Sequence, residues 1–170
     1  MESMDKKELE ELVVLTLRKL HAETKGKIKF SLEAVQLIIG TIAQESAFGK
    51  YRQQLNNGPA MGIVQMEGAT AKDIFENYLN YRKSHLEAVL SLTTNDIVTN
   101  NIKSLNRHLK NNDEFAIAMC RIHYLRAPAK LPEYDNIEDM GKYWKKYYNT
   151  ELGKGTVEEF VKNYNRYIVK

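Results

Sequence analysis

Apolar residues recur at intervals of three and four along almost the whole chain, and no segment alternates strictly as a half-buried strand does. Leu9, Leu12, Val13, Thr16, Leu17 and Leu20 mark one face of a first helix. Val35, Ile38, Ile39 and Ile42 mark a second, opened by Ser31 as N-cap and stopping near Gly49. Capping-box pairs predict further starts at Thr70 with Asp73 and at Thr156 with Glu159. Helical patterns also run from Tyr78 to Leu92, Asp96 to Leu109, Asp113 to Arg126 and Glu138 to Tyr147, with Pro128 ending the third of these. Between the second helix and Thr70, the residues Asn56-Asn57-Gly58-Pro59 and Gly62 predict a loop or one small hairpin. The expected fold class is therefore all-α, α+β at most through that hairpin.

A length of 170 residues suits one compact domain over residues 1–170. Three prolines and nine glycines leave little material for a linker, and no repeat period is visible. The formal charge of +3 suits an anionic cell envelope and falls short of a nucleic-acid footprint, so no nucleic-acid partner is expected. No apolar run reaches membrane-spanning length, and the start Met1-Glu-Ser-Met-Asp-Lys-Lys lacks the apolar core of a signal peptide. The expectation is a protein made in the cytoplasm without membrane insertion. Cys120, the single cysteine, lies in an apolar run and reads as a buried structural thiol. His21, His85, His108 and His123 form no metal-ligand spacing, so neither a metal nor a cofactor is expected.

The second helix carries the residue with the most chemistry in it. Continuing its apolar stripe past Ile42, the next inward position is Glu45. A carboxylate held there is costly while ionised, and the negative end of the helix adds to the cost, so its pKa should rise. Such a group is either a general acid that keeps its proton near neutral pH, or a carboxylate paired with a basic side chain. The residues alone leave both open.

Three short segments around Glu45 narrow the choice. Glu45-Ser46-Ala47-Phe48 ends the helix, Gly58-Pro59-Ala60-Met61-Gly62-Ile63-Val64-Gln65-Met66 follows, and then comes Ala69-Thr70-Ala71. In order and spacing they resemble the soluble lytic transglycosylase family of the lysozyme-like superfamily, from about Leu32 to Ala71. The resemblance implies a lysozyme-like catalytic domain that acts on peptidoglycan glycan strands. It makes Glu45 the acid and then the base, gives Ser46 an orienting role, and sets Gly62, Gln65 and Met66 against the sugar. Two departures stand out. Gly68 replaces a proline usual before the Thr-Ala pair, and the family's later Ala-Tyr-Asn helix reads here Ala116-Ile-Ala-Met-Cys-Arg121-Ile-His-Tyr124. On that helix Tyr124 is the stand-in expected to reach Glu45, and Arg121 is expected to hold substrate.

Because one carboxylate stands out rather than the pair of an ordinary glycosidase, the resemblance points to lytic transglycosylation with a 1,6-anhydromuramyl product. The alternatives are a hydrolytic muramidase and a non-catalytic, lysozyme-like phage structural or wall-binding protein. A weaker likeness of Tyr143 to Thr156 to phage-encoded relatives makes virion proteins candidate partners and suggests a virion or lysis component acting at the cell wall. Of the aromatic residues in that stretch, Trp144 and the tyrosines are expected mainly to form a core seam.

Overall fold

The structure is a computed structural model that describes residues 3–54, 57–150 and 152–169. Among them are eight α-helices: α1 (Lys6–Glu23), α2 (Leu32–Ser46), α3 (Gly68–Asn77), α4 (Lys83–Leu90), α5 (Ile102–Asn111), α6 (Asp113–Leu125), α7 (Ile137–Trp144) and α8 (Val157–Tyr164). A two-stranded antiparallel hairpin, β1 (Ala60–Met61) and β2 (Met66–Glu67), pairs Ala60 with Glu67 and Met61 with Met66. The class is all-α with one small hairpin. Asn56, part of the turn sequence read above, lies outside the described residues, as do Met1 and Glu2.

The centre of the molecule is α6, which is apolar on every side and buried from Phe115 to Ile122. A helix of that kind must be wrapped, and α1, α2, α3, α4 and α5 all pack on it. Helix α2 is buried almost as completely and carries α7 and α8 on its outer side. The buried apolar side chains form one continuous cluster from Leu9 to Tyr164.

Several local starts follow the sequence signals. The Ser31 hydroxyl caps α2 by accepting from the Ala34 N–H at 3.1 Å. Thr156 likewise caps α8 through the Glu159 N–H at 3.1 Å. Others differ. Helix α3 begins at Gly68 without a side-chain cap, so Thr70 and Asp73 form no capping box. The Asp73 carboxylate instead accepts from Asn77 at 2.6 Å and Arg126 at 2.8 Å. Gly68 lies so close to α5 that a Cβ there would come within 2.3 Å of the Asn106 side-chain oxygen, which is what lets α3 start early against its neighbour. The stretch after Tyr78 is a 3₁₀ turn (Leu79–Tyr81) before α4, and α5 starts at Ile102 with Asn101 as its cap, well after Asp96. Helices α7 and α8 each loosen into a π-turn, Lys145–Asn149 and Asn165–Val169.

Candidate functional site

Helix α2 stops because three residues in a row turn left-handed: Ala47 (φ 49°), Phe48 (φ 58°) and Gly49 (φ 83°). Ser46 fastens that stop. Its hydroxyl donates to the Ile63 carbonyl at 2.6 Å and accepts from the Gly49 N–H at 3.0 Å. The far side of this join is the hairpin turn Gly62-Ile63-Val64-Gln65, whose two middle side chains are fully buried. Gly62 has φ +78°, and a Cβ there would lie 2.1 Å from the Leu109 carbonyl oxygen, so the backbone of α5 occupies the space of any side chain. Gln65, also left-handed at φ 47°, points its amide back into the turn and donates to the carbonyls of Tyr51 (2.9 Å), Arg52 (3.1 Å) and Gly62 (2.9 Å). The end of α2 and the hairpin are thereby one rigid piece, and that piece is one wall of an open cleft of about 1030 Å³.

The opposite wall comes from α7, its π-turn and α8. Asn163 of α8 donates to Gln44 of α2 at 2.6 Å, and Tyr164 donates to Gln36 at 2.6 Å, which ties this wall along α2. The Tyr148 hydroxyl donates to the Val64 carbonyl at 2.6 Å and so joins the π-turn to the hairpin. Lys145 reaches forward to Asn149 (2.7 Å) and the Gly153 carbonyl (2.8 Å), folding the following loop onto the wall.

Glu45 faces this cleft from the last turn of α2. Its partner is an aromatic N–H and not a cation: the Trp144 indole donates to Oε2 at 2.9 Å. Burial pushes the carboxyl up to about pKa 7, while the Trp144 hydrogen bond pulls the other way. The choice left open by the residues is thereby narrowed, since no basic side chain among the described residues forms an ion pair with Glu45. A carboxyl group with this pKa holds and releases a proton near neutral pH, as acid/base chemistry requires. Tyr51, Gln65 and Glu67 from the first wall and Tyr148 and Glu159 from the second line the same space.

The structure brings Glu45 and Gln65 together in the cleft and sets the other expected contact residues elsewhere. Ser46 is fully buried and bound to backbone, so it orients the hairpin and touches neither cleft nor carboxylate. Gly62 and Met66 lie under the turn, packed against α5 and the core. Tyr124 does not reach Glu45. Its hydroxyl lies 2.7 Å from Thr41 Oγ1, one helical turn earlier on α2. Thr41 gives its own proton to the Leu37 carbonyl at 2.7 Å, so Tyr124 is the donor in that pair. The phase of α6 places the tyrosine behind the carboxylate, within the core. Arg121 is buried, its Nη2 donates to the Lys29 carbonyl at 3.3 Å, and desolvation lowers its pKa.

Several cleft residues escaped the sequence reading, Trp144 and Tyr148 first among them, with Tyr51 and Asn163. One signal for the first was available. A buried indole needs an acceptor, and an inward carboxylate needs a donor, so the single tryptophan and Glu45 were candidates for each other. Tyr148 carried no signal of its own among six C-terminal tyrosines. Among the described residues no three His, Cys, Asp or Glu side chains converge as a metal site would require, and no helix is long and apolar enough to cross a membrane. Compared with protein-family models, with curated proteins and with solved structures, the chain matches none.

Proposed function

We propose that the protein cleaves the glycan strands of peptidoglycan at the β-1,4 bond between MurNAc and GlcNAc, as a lytic transglycosylase with a lysozyme-like catalytic domain. The observation that carries the reading is Glu45: a carboxyl raised to about pKa 7 on the wall of an open, largely polar cleft. The resemblance of residues 32–71 to the soluble lytic transglycosylases supplies the substrate class. The succession of α2, hairpin and α3 around Glu45 supports the lysozyme-like topology.

In this reaction the Glu45 carboxyl gives its proton to the glycosidic oxygen as the bond from C1 of MurNAc to that oxygen breaks. The carboxylate left behind then takes the proton of the sugar's own 6-hydroxyl as that oxygen bonds to C1, which closes the 1,6-anhydro ring and restores the acid. No water is consumed, and one ionisable group serves both steps. The exposed ring face of Tyr51 suits stacking on a sugar, and polar groups such as Asn163 suit its hydroxyls. Peptidoglycan is then the partner and the cell wall the place of action, reached as a virion or lysis component.

Glu67 and Glu159 line the same cleft, which favours hydrolysis as the second reading, since a second carboxylate can activate water. Mass spectrometry of purified peptidoglycan digested by the protein separates the outcomes. Anhydro ends are expected. Reducing ends would replace transglycosylation by hydrolysis, and the absence of released fragments would overturn glycan cleavage altogether.

A further inference from the structure

Glu45 has two oxygens, and their surroundings differ. Oε2 is taken by the Trp144 indole N–H at 2.9 Å. Oε1 has no hydrogen-bond partner among the described residues, yet it is not one of the buried unpartnered atoms, so it opens to the cleft that Glu45 lines. An indole N–H can only donate, so the oxygen it meets must keep a lone pair toward it. The carbonyl oxygen of a protonated carboxyl is the better acceptor, so the indole favours Oε2 as that oxygen and the proton on Oε1.

The indole can impose this because it is itself immobilised. Trp144 is fully buried and packs on Phe160 with ring centroids 5.5 Å apart. Gly155 lies against the far edge of its ring, where a Cβ would come to 2.6 Å of the indole. Phe160 in turn sits in a notch on α2 left by Gly40, where a Cβ would come to 2.5 Å of the phenyl ring. The two glycines and the phenylalanine leave the indole one place to stand, with its N–H on Glu45.

We infer that Trp144 is a positioning residue: its indole N–H occupies Glu45 Oε2 and so presents the transferable proton on Oε1, toward the glycosidic oxygen. The inference rests on the proposed role of Glu45 for its functional meaning, while the pairing can be tested without any substrate.

The other titratable groups near the pair do not compete for the same pH range. Cys120 and Tyr124 on α6 and Tyr148 on the π-turn feel the Glu45 charge, and burial holds all three in their protonated forms at neutral pH. Among the described residues, the charged groups along the cleft besides Glu45 are Lys50, Glu67, Lys154, Glu159 and Arg166. Their fields are present equally in the parent and in a Glu45→Gln variant, which serves as the control.

Trp144 is the only tryptophan in the chain, so tryptophan emission reports on the surroundings of this one indole. A titration of the full-length protein should show an emission change with its midpoint near pH 7, absent in Glu45→Gln. Trp144→Phe keeps a ring in the slot and removes the N–H. Its kcat on peptidoglycan should fall roughly 10- to 100-fold with little change in KM. The alkaline limb of its pH profile should move to higher pH, because a hydrogen bond to the carboxylate form has been lost. A merely structural tryptophan would leave that limb where it was. If Trp144→Phe fails to fold, the fluorescence comparison of parent and Glu45→Gln still decides. A Glu45-dependent titration in a protein that releases no glycan fragments supports the pairing and overturns the reaction. Glycan cleavage with no Glu45-dependent emission change, or with an unmoved pH limb in Trp144→Phe, overturns the pairing.

Discussion

One wall of the cleft, made by the end of α2 and the hairpin turn, is held by short hydrogen bonds among residues 42 to 67: Ser46 to Ile63, and Gln65 to Tyr51, Arg52 and Gly62. The other, made by α7 and α8, is tied at its edges by Asn163, Tyr164 and Tyr148 but filled by rings: Trp144 on Phe160, Tyr143 on Tyr147, and Tyr124 of α6 between Tyr143 and Tyr148. The first wall places the carboxyl group and the second sets its chemistry, by burying it and by supplying its hydrogen-bond donor. The difference shows why a proton donor of this kind needs both. A hydrogen-bonded turn fixes the course of a backbone, whereas desolvation needs bulk, which large side chains provide.

The comparison breaks most visibly at Gly62. Gly62→Ala puts a methyl group into the Leu109 carbonyl at a left-handed backbone position, and neither backbone can rotate away. A loss of about 3 kcal/mol or more is expected, from overpacking together with backbone strain. A urea midpoint equal to that of the parent would mean that the turn is not clamped between α2 and α5 as described.

Ser46→Ala probes the same wall more gently. It leaves the Ile63 carbonyl and the Gly49 N–H without their partner in the interior, at a cost of about 1–3 kcal/mol. The same experiment separates a fastener from a substrate ligand. At a temperature where the variant is fully folded, its KM for peptidoglycan should match the parent's, and a large rise in KM would return Ser46 to the cleft.

Tyr124→Phe is the smallest change and bears on the second wall. It removes one hydrogen bond to Thr41 and should cost about 0.5–1.5 kcal/mol, with the pH profile of glycan cleavage unmoved. A loss of cleavage with a shifted profile would put the hydroxyl on Glu45 after all.

The first wall was legible in the sequence because its residues are neighbours. The stripe from Val35 to Ile42 fixed the inward phase of Glu45, and Gly58, Pro59 and Gly62 marked the turn that follows it. What the sequence did not carry was the division of labour within the wall. Ser46 and Gly62 are required there, but by Ile63 and Leu109, not by a ligand. The helices of the second wall were legible, from the Glu138 to Tyr147 pattern and the Thr156 cap, but their contact with Glu45 was not. Trp144 lies 99 residues from its acceptor, and nothing local distinguishes it from a core aromatic. The tyrosine on α6 was misplaced for a related reason. Every side of that helix is buried, so periodicity could not say which side meets Glu45, and the answer is one turn short, at Thr41. Pattern failed similarly at Asp96, whose apolar neighbours suggested a helix, while the carboxylate takes a turn with Thr94 and pairs with Arg107 at 2.7 Å.

Glu45 itself remains the most direct test. Its folded pKa of about 7 lies above the ordinary 4.5, so its contribution to stability is complete below pH 4.5 and is lost as pH rises through 7. The loss is at most about 3 kcal/mol, at roughly 1.4 kcal/mol per pH unit. Glu45→Gln removes the buried charge and should be more stable than the parent at about pH 8, with the fold intact. The decisive measurement is kcat/KM for peptidoglycan cleavage, parent against Glu45→Gln, across the pH range. The expected result is a parent whose activity falls as pH rises through about 7 and a folded variant whose activity is lower by about 10²- to 10⁴-fold below pH 7, with the gap narrowing above it. A folded Glu45→Gln that cleaves glycan within a few-fold of the parent would contradict the assignment of the acid.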